Sequence, residues 1–340
     1  MKKNLLVSIC LITAFVLGAC APSTPAASSQ AQTPTQESST QPEYAGRKIL
    51  WVDSYHQGYT WTDDMESGMH EVLDGTGVEF KIIHMDTKRN SDDAFAKTAA
   101  LQAKAEIETF QPDVVIASED NVQKALIVPY YKGTDLPIVF NGVNWDATAY
   151  GYPTSNITGM LEVELQDQLT GILKQYAKGE RVGYVTIDTE TERKGVDIIN
   201  NTFFNGEMKV YWATTQDEFR TAFLTAQQEV DIVFLGNNAG TDTWDDAVMK
   251  QFFLDNTTVP TGAVRDWMAP FVMVTLAKSG KEQGVWAAET ALSILGGTPV
   301  SEIPVTQNKK GELIVNLVLA DKLGIVFSPS ILKNATILEQ

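Results

Sequence analysis

Cysteine is almost missing from this chain: of 340 residues, only Cys10 and Cys20 carry a thiol. Both lie within the first twenty positions, so the remaining chain has no disulfide and no thiolate metal site. Histidine is nearly as scarce. His56, His70 and His84 fall on separate elements, and no pair has metal-ligand spacing. Positive charge is short as well, with 26 Lys and Arg against 43 Asp and Glu and a net charge of −17. A surface of that sign repels phosphate backbones and anionic lipid heads, which excludes nucleic-acid binding and docking through a basic patch. No apolar run reaches the roughly 18 residues needed to suggest a transmembrane helix. Gly75-Thr76-Gly77 and Gly236-Asn237-Asn238-Ala239-Gly240 are glycine-containing loops, but neither gives a phosphate-loop or dinucleotide fingerprint, and no Gly-x-Ser-x-Gly elbow occurs. No cofactor and no metal are expected.

What is present begins at the N-terminus. Lys2 and Lys3 precede an apolar stretch from Leu5 to Val16, too short to span a bilayer but suited to a signal peptide. It ends in Leu17-Gly18-Ala19-Cys20, which resembles the lipobox of bacterial lipoproteins and implies lipidation of Cys20 after removal of residues 1–19. Residues 20–45 are built from Ala, Ser, Thr, Pro and Gln, with four prolines and no aliphatic side chain larger than alanine beyond Cys20. Such a segment buries too little apolar surface to offset its ordering entropy, so it is expected to be a disordered tether. Its root-mean-square span is ~28 Å. Without Lys2 and Lys3 the net charge becomes −19.

From about Gly46 onward, short apolar runs alternate with longer amphipathic segments. Strands are expected at 48–53, 79–84, 113–117, 137–140, 181–187, 209–212, 231–235 and 259–264. Helices are expected at 63–73, 91–110 with Ser91 as N-cap, 121–131, 164–177, 190–203, 217–228, 243–253 and 284–295. Strands of four to seven apolar residues between helices of ten or more indicate parallel sheets covered on both faces. The series restarts after Asn156-Ile157-Thr158-Gly159, which is read as the break between two doubly wound lobes. Lobe one is assigned to 46–160 plus about 276–305, and lobe two to 161–275 plus part of 306–340.

Several stretches resemble bacterial ABC transporter substrate-binding proteins, and more narrowly the family that includes tryptophan- and tyrosine-uptake binding lipoproteins. They are Pro112-Asp113-Val114-Val115-Ile116-Ala117 with Gln123-Lys124-Ala125-Leu126, Leu136-Pro137-Ile138-Val139-Phe140, Gly284-Val285-Trp286-Ala287-Ala288-Glu289, and Asn316 to Ile325. The resemblance implies a two-lobed α/β fold of the periplasmic-binding-protein type (type I), joined by a hinge. It implies no enzymatic activity, a small organic ligand of aromatic or amino-acid-like character, ABC permease subunits as partners, a monomer, and an extracytoplasmic location on a lipid anchor. Three departures stand out: Ser118-Glu119-Asp120-Asn121 after the third strand, Asn144-Trp145-Asp146 after the fourth, and Asn237-Asn238 where an Asp-Asn pair is common. An aspartate at that last place would pair with a ligand ammonium. The segment Ser54 to Thr62 resembles loops of sensor-kinase ectodomains, so a ligand-sensing accessory protein is the alternative.

Ligands of open parallel sheets bind beyond the carboxyl ends of the strands. The candidates are therefore Ser54, Tyr55, Trp61, Ser118, Glu119, Asp120, Asn141 and Asn144 in lobe one. In lobe two they are Asp188, Thr189, Glu190, Asn237, Asn238, Arg265, Asp266 and Trp267. Trp61 and Trp267, with Trp145 and Trp244 behind them, offer flat surfaces for a ring or an alkyl body. Arg265 suits either a ligand carboxylate or a local ion pair. His56 sits in the first cleft loop. Asp188 with Glu190 leaves a carboxylate-pair hydrolase open as a second alternative.

Overall fold

The structure, a computed structural model, describes residues 43–339; the expected signal segment, Cys20 and the expected tether up to Pro42 lie outside the described residues. The body begins slightly earlier than expected. Residues 43–46 form a turn, and the Tyr44 amide donates to the Thr76 carbonyl at 3.0 Å.

The first sheet opens with β1 (Lys48–Asp53), α1 (Thr60–Leu73), β2 (Glu79–His84), α2 (Asp93–Phe110) and β3 (Val114–Ser118). β1 is buried from Ile49 on and β3 throughout, as expected of central parallel strands with helices on both faces. α2 is capped by Asp92, which accepts from the Phe95 amide at 2.8 Å, and not by Ser91 as its sequence suggested. Next come α3 (Glu119–Val122), one π-turn (Gln123–Ile127) and α4 (Val128–Tyr130). Pro129 lacks the amide that would bond to the Ala125 carbonyl, and the wider turn just before it takes up the interruption. β4 (Ile138–Asn144) and β5 (Ile157–Glu162) complete the half. β5 corrects the expected lobe break at Asn156–Gly159. Ile157, Thr158 and Gly159 are buried in a strand of the first sheet, paired in parallel to β4, and the chain leaves the sheet after Glu162.

The second half repeats the plan. Its elements are α5 (Gln166–Lys174), β6 (Val182–Ile187), α6 (Glu190–Phe204), β7 (Lys209–Ala213), α7 (Gln216–Glu229), β8 (Ile232–Leu235), α8 (Asp246–Asn256) and β9 (Thr261–Ala263). A 3-10 turn (Asp266–Phe271) and β10 (Val274–Lys278) follow. Both halves have the strand order 2-1-3-4-5: β2-β1-β3-β4-β5 in one sheet and β7-β6-β8-β9-β10 in the other. In that order the chain reverses direction of travel between β1 and β3, and between β6 and β8. The helices diverge there and leave a crevice at the carboxyl edge.

The remaining chain stitches the halves together. α9 (Gly280–Leu295) lies against α1, β3 and β4 of the first half, and β11 (Thr306–Gln307) extends that sheet beside β5. β12 (Gly311–Asn316) returns to the second sheet antiparallel to β10. After α10 (Leu317–Lys322) and α11 (Pro329–Leu332), β13 (Ala335–Leu338) closes its edge. The chain thus passes between sheets after β5, after β10 and after β11. α9 begins four residues before the expected Gly284 because Ser279 caps it, accepting from the Glu282 amide. Glycines let α1 and α9 touch backbone to backbone. A Cβ at Gly284 would stand 2.0 Å from the Met65 carbonyl oxygen, and one at Gly68 would stand 2.4 Å from that of Lys281.

Each sheet is packed on both faces. In the first, Leu50, Val52, Val115 and Phe140 meet α2 and the π-turn segment, while Ile49, Trp51, Ile116 and Val139 meet α1 and α9. In the second, Tyr184 and Phe234 lie over α5 and α6, and Val185, Val233 and Leu235 over α7 and α8. Among the described residues, no helix is long and apolar enough to cross a membrane.

Candidate functional site

The carboxyl edge of the first sheet carries a polar floor that is wholly internal. Ser54, Ser118 and Asn141 are fully buried. Trp51 Nε1 donates to Ser118 Oγ at 2.7 Å, Ser118 Oγ to Asn141 Oδ1 at 2.5 Å, and Ser54 Oγ to the Ser118 carbonyl at 3.0 Å. These three expected ligand residues thus have their polar groups engaged with one another inside the lobe. Gln283 of α9 extends the floor, its Oε1 accepting from the Gly142 amide at 3.1 Å and its Nε2 donating to the Leu161 carbonyl at 3.2 Å.

Above the floor lie Tyr55, Trp61 and Glu119. Trp61 sits in the first turn of α1 and donates from Nε1 to Glu119 Oε1 at 2.7 Å, and the Tyr55 hydroxyl bonds to the same carboxyl. Glu119 is only 3% exposed and holds a left-handed backbone with φ 74°. That conformation costs an ordinary residue about 1–2 kcal/mol, so its surroundings must hold it. Gly142 makes the room, at φ 68° in an irregular step of β4, where a Cβ would lie 2.2 Å from Glu119 Oε1. Burial, and then repulsion from Glu162, lift the Glu119 carboxyl well above the usual carboxylate range against the pull of the Trp61 bond. Burial, then Glu119 and Glu162, likewise raise Tyr55, so its phenol is held neutral.

A ladder of alternating charge runs from this corner through the crossing segments into the second half. Lys278, the last residue of β10, is ion-paired with Glu162 at the end of β5 and with Glu164 at 3.3 Å. Burial disfavours its ammonium, but Glu164 and Glu162 together outweigh that and raise it. Glu164 also acts on Arg265, which bonds to Glu192 Oε1 at 2.7 Å and to the Tyr184 hydroxyl at 3.4 Å. Of the two roles open to Arg265, the structure realises the ion pair. Burial lifts Tyr184 to about 12.

On the second sheet's edge, Thr189 caps α6, accepting from the Glu192 amide at 3.3 Å. Asp188 is engaged in a two-pronged pair with Arg193, both contacts 2.6 Å, and Glu190 pairs with Lys194 at 2.8 Å. Each carboxylate of the supposed hydrolytic pair therefore faces its own cation. Asn237 and Asn238 are half-buried, with Asn237 Oδ1 accepting from the Ala239 amide at 2.9 Å. Asp266 accepts from the Trp267 amide at 2.8 Å, and Trp267 is 52% exposed with Arg265 5.9 Å from its ring centre. Asn144 is exposed and donates to Asp120 at 3.2 Å. Trp145 packs against Phe203 of α6, tying the loop after β4 to the second half. Trp244 is a packing residue, edge-on to Phe219 and Phe271. His56 bonds to the Gln57 carbonyl at 2.9 Å and leans on Tyr59. Among the described residues no group of His, Cys, Asp and Glu is placed to hold a metal ion.

Lys278, Glu162, Glu164, Glu192, Tyr184 and Gly142 were not singled out from sequence. Lys278 left a signal that could have been used: it ends the apolar run Val274 to Ala277, just before the helix N-cap at Ser279.

Residues 60–338 match the family of ABC transporter substrate binding proteins. The chain belongs to this family. Solved structures with the same fold include the ligand-free, open structure of CD0873, a substrate binding protein with adhesive properties from Clostridium difficile. That protein is 18% identical, with 86% of this chain and 99% of the other covered and a TM-score of 0.65. An ABC domain from Streptococcus pneumonia in complex with L-Trp is 15% identical over 86% of this chain and 99% of its own, with a TM-score of 0.53. An ABC transporter solute binding protein from Bradyrhizobium sp. BTAi1 with bound bis-tris is 16% identical over 85% and 87%, with a TM-score of 0.54. No curated protein matches the chain. Members of the family bind small molecules outside the cytoplasm and work with ABC permeases; they are transport components and not enzymes.

Proposed function

We propose that this chain is the lipid-anchored binding subunit of an ABC importer, tethered through Cys20, and that a small organic ligand closes its two halves about the crossing segments. The observation that carries this reading is the arrangement of Trp61, Tyr55 and Glu119 on one half, Arg265 and Trp267 on the other, and Lys278 with Glu162 between them. A ligand spanning both halves binds the closed form more tightly and so draws the equilibrium toward it. Candidate binding residues are Tyr55, Trp61, Glu119, Asn144, Asn238, Asp266 and Trp267, with L-Trp and bis-tris, bound by neighbours of the same fold, as indications of scale. The protein acts as a monomer.

Native mass spectrometry of the protein as purified identifies what it carries, and small-angle scattering with and without that compound reads closure. A smaller radius of gyration at saturation is expected, and an unchanged profile refutes hinge closure. Wild type should fractionate with membranes and Cys20→Ala should not; identical distributions would remove the anchor.

A further inference from the structure

The charged groups of the site do not balance. Lys278 is engaged by Glu162 and Glu164, and Arg265 by Glu192 and Tyr184. Glu119 is the exception: its hydrogen-bond partners are the neutral Trp61 indole and Tyr55 phenol. Two acids, Glu162 at the end of β5 and Asp53 at the end of β1, act on it as well. Asp53 is itself fully buried; its Oδ2 accepts from Thr62 Oγ1 at 3.1 Å and is paired with His84 Nδ1 at 3.2 Å, while its Oδ1 has no hydrogen-bond partner. A buried carboxyl among acids is stable only if it is protonated or if a cation reaches it. The surrounding rings already take cations on their faces. Lys278 Nζ lies 5.8 Å from the Trp61 ring centre, and Lys88 Nζ lies 4.9 Å from that of Tyr55 and 5.0 Å from that of Tyr59.

Resting on the binding reading above, we propose that the cleft selects its ligand by a positively charged nitrogen, seated against the Glu119 carboxylate beside the rings of Trp61 and Tyr55. A ligand carboxylate is not required. Lys278 and Arg265 are committed to protein acids, His84 is paired with Asp53, and the exposed Lys88 lies over the rings of Tyr55 and Tyr59. The incoming nitrogen replaces the neutral donors on Glu119. Below the raised pKa of Glu119 the carboxyl proton passes to the buffer in the same step, so the buried site changes one positive partner for another and gains no net charge.

The test is titration calorimetry of the intact folded body with tryptamine, choline and agmatine, set against the neutral tryptophol, the anionic indole-3-propionate and the zwitterion L-tryptophan. At least one cation should bind, its matched neutral and anionic analogues should bind at least tenfold more weakly, and Glu119→Gln should weaken the cation at least tenfold. Repeating the titration in buffers of different ionisation enthalpy should show proton release that approaches one per site at low pH and vanishes once Glu119 is ionised in the free protein. Cation affinity should also rise with pH, by at most about tenfold per unit, until Glu119 is ionised in the free protein. Tryptophol or indole-3-propionate binding as well as tryptamine overturns the charge inference and leaves the binding reading intact. L-tryptophan binding where tryptamine does not overturns it in favour of a required carboxylate. No binding by any cation also overturns it; if native mass spectrometry then finds no bound molecule either, the binding reading falls with it. Glu119→Gln with unchanged cation affinity places the nitrogen elsewhere and refutes the seat.

Discussion

Replacing Lys278 by methionine tests the ladder that joins the two sheets. The Lys278 side chain is 24% exposed, Glu162 8% and Glu164 15%, so its loss strands two largely buried carboxylates. Removing one partner of a buried pair typically costs about 3–5 kcal/mol. An independent ceiling agrees. A stranded glutamate can always escape by protonation, and at pH 7 that costs about 3.7 kcal/mol, being roughly 2.7 units above an ordinary glutamate pKa at about 1.36 kcal/mol per unit. At pH 5 the same escape costs only about 1 kcal/mol per carboxyl. Lys278→Met should therefore lose about 3–5 kcal/mol in urea unfolding at neutral pH and about 1–2 kcal/mol near pH 5. Adding Glu162→Gln to Lys278→Met should recover about half of the neutral-pH loss. A cost below about 1 kcal/mol at pH 7, or one that does not change with pH, would show that solvent already screens the ladder.

Because the folded Glu119 pKa is raised, the unfolded chain gives up its proton first as pH rises past about 4.3, and stability falls by up to about 1.4 kcal/mol per unit until the folded group ionises. Glu162, raised chiefly by burial, contributes with the same sign, so Glu119→Gln should flatten the profile in part; urea midpoints from pH 4 to 8 that match wild type contradict the assignment. Gly284→Ala drives a methyl to 2.0 Å from the Met65 carbonyl and should cost about 1–3 kcal/mol, whereas an unchanged urea midpoint would deny the close contact of α1 and α9. Trp267→Ala, at a residue 52% exposed, should move stability by no more than about 0.5 kcal/mol while weakening the native ligand at least tenfold; a large loss of stability with affinity intact would make it a packing residue.

Most strands and helices were legible because parallel strands covered on both faces read as apolar runs between long amphipathic segments. Ile49-Leu50-Trp51-Val52 and Ile232 to Leu235 are such runs. β5 reads from sequence as the break between lobes because Thr158 and Gly159 interrupt its apolar run. In the structure Gly159 is small because Phe140 of β4 fills the space above it, where a Cβ would stand 2.3 Å from the ring. That reason belongs to the neighbouring strand and leaves no mark beside Gly159 itself. Trp61 and Glu119 could be named in advance, since residues just beyond strands must border the crevice. That they touch each other could not, because 58 positions separate them.

The sequence by itself determined the repeated β-α order, the poverty in thiols and basic charge, and which residues stand at the carboxyl edges of the strands. These follow from local periodicity and composition, which act within a few turns of chain. The tertiary structure alone decided which of those residues are buried and which partners each one meets. It buried Ser54, Ser118 and Asn141 in one hydrogen-bonded floor, engaged Arg265 with Glu192, and placed Lys278 between Glu162 and Glu164. The physical reason is that a charge takes its meaning from its partner and its distance from water. For Lys278 and Glu162, 116 residues apart, both are set where β10 and β5 end side by side.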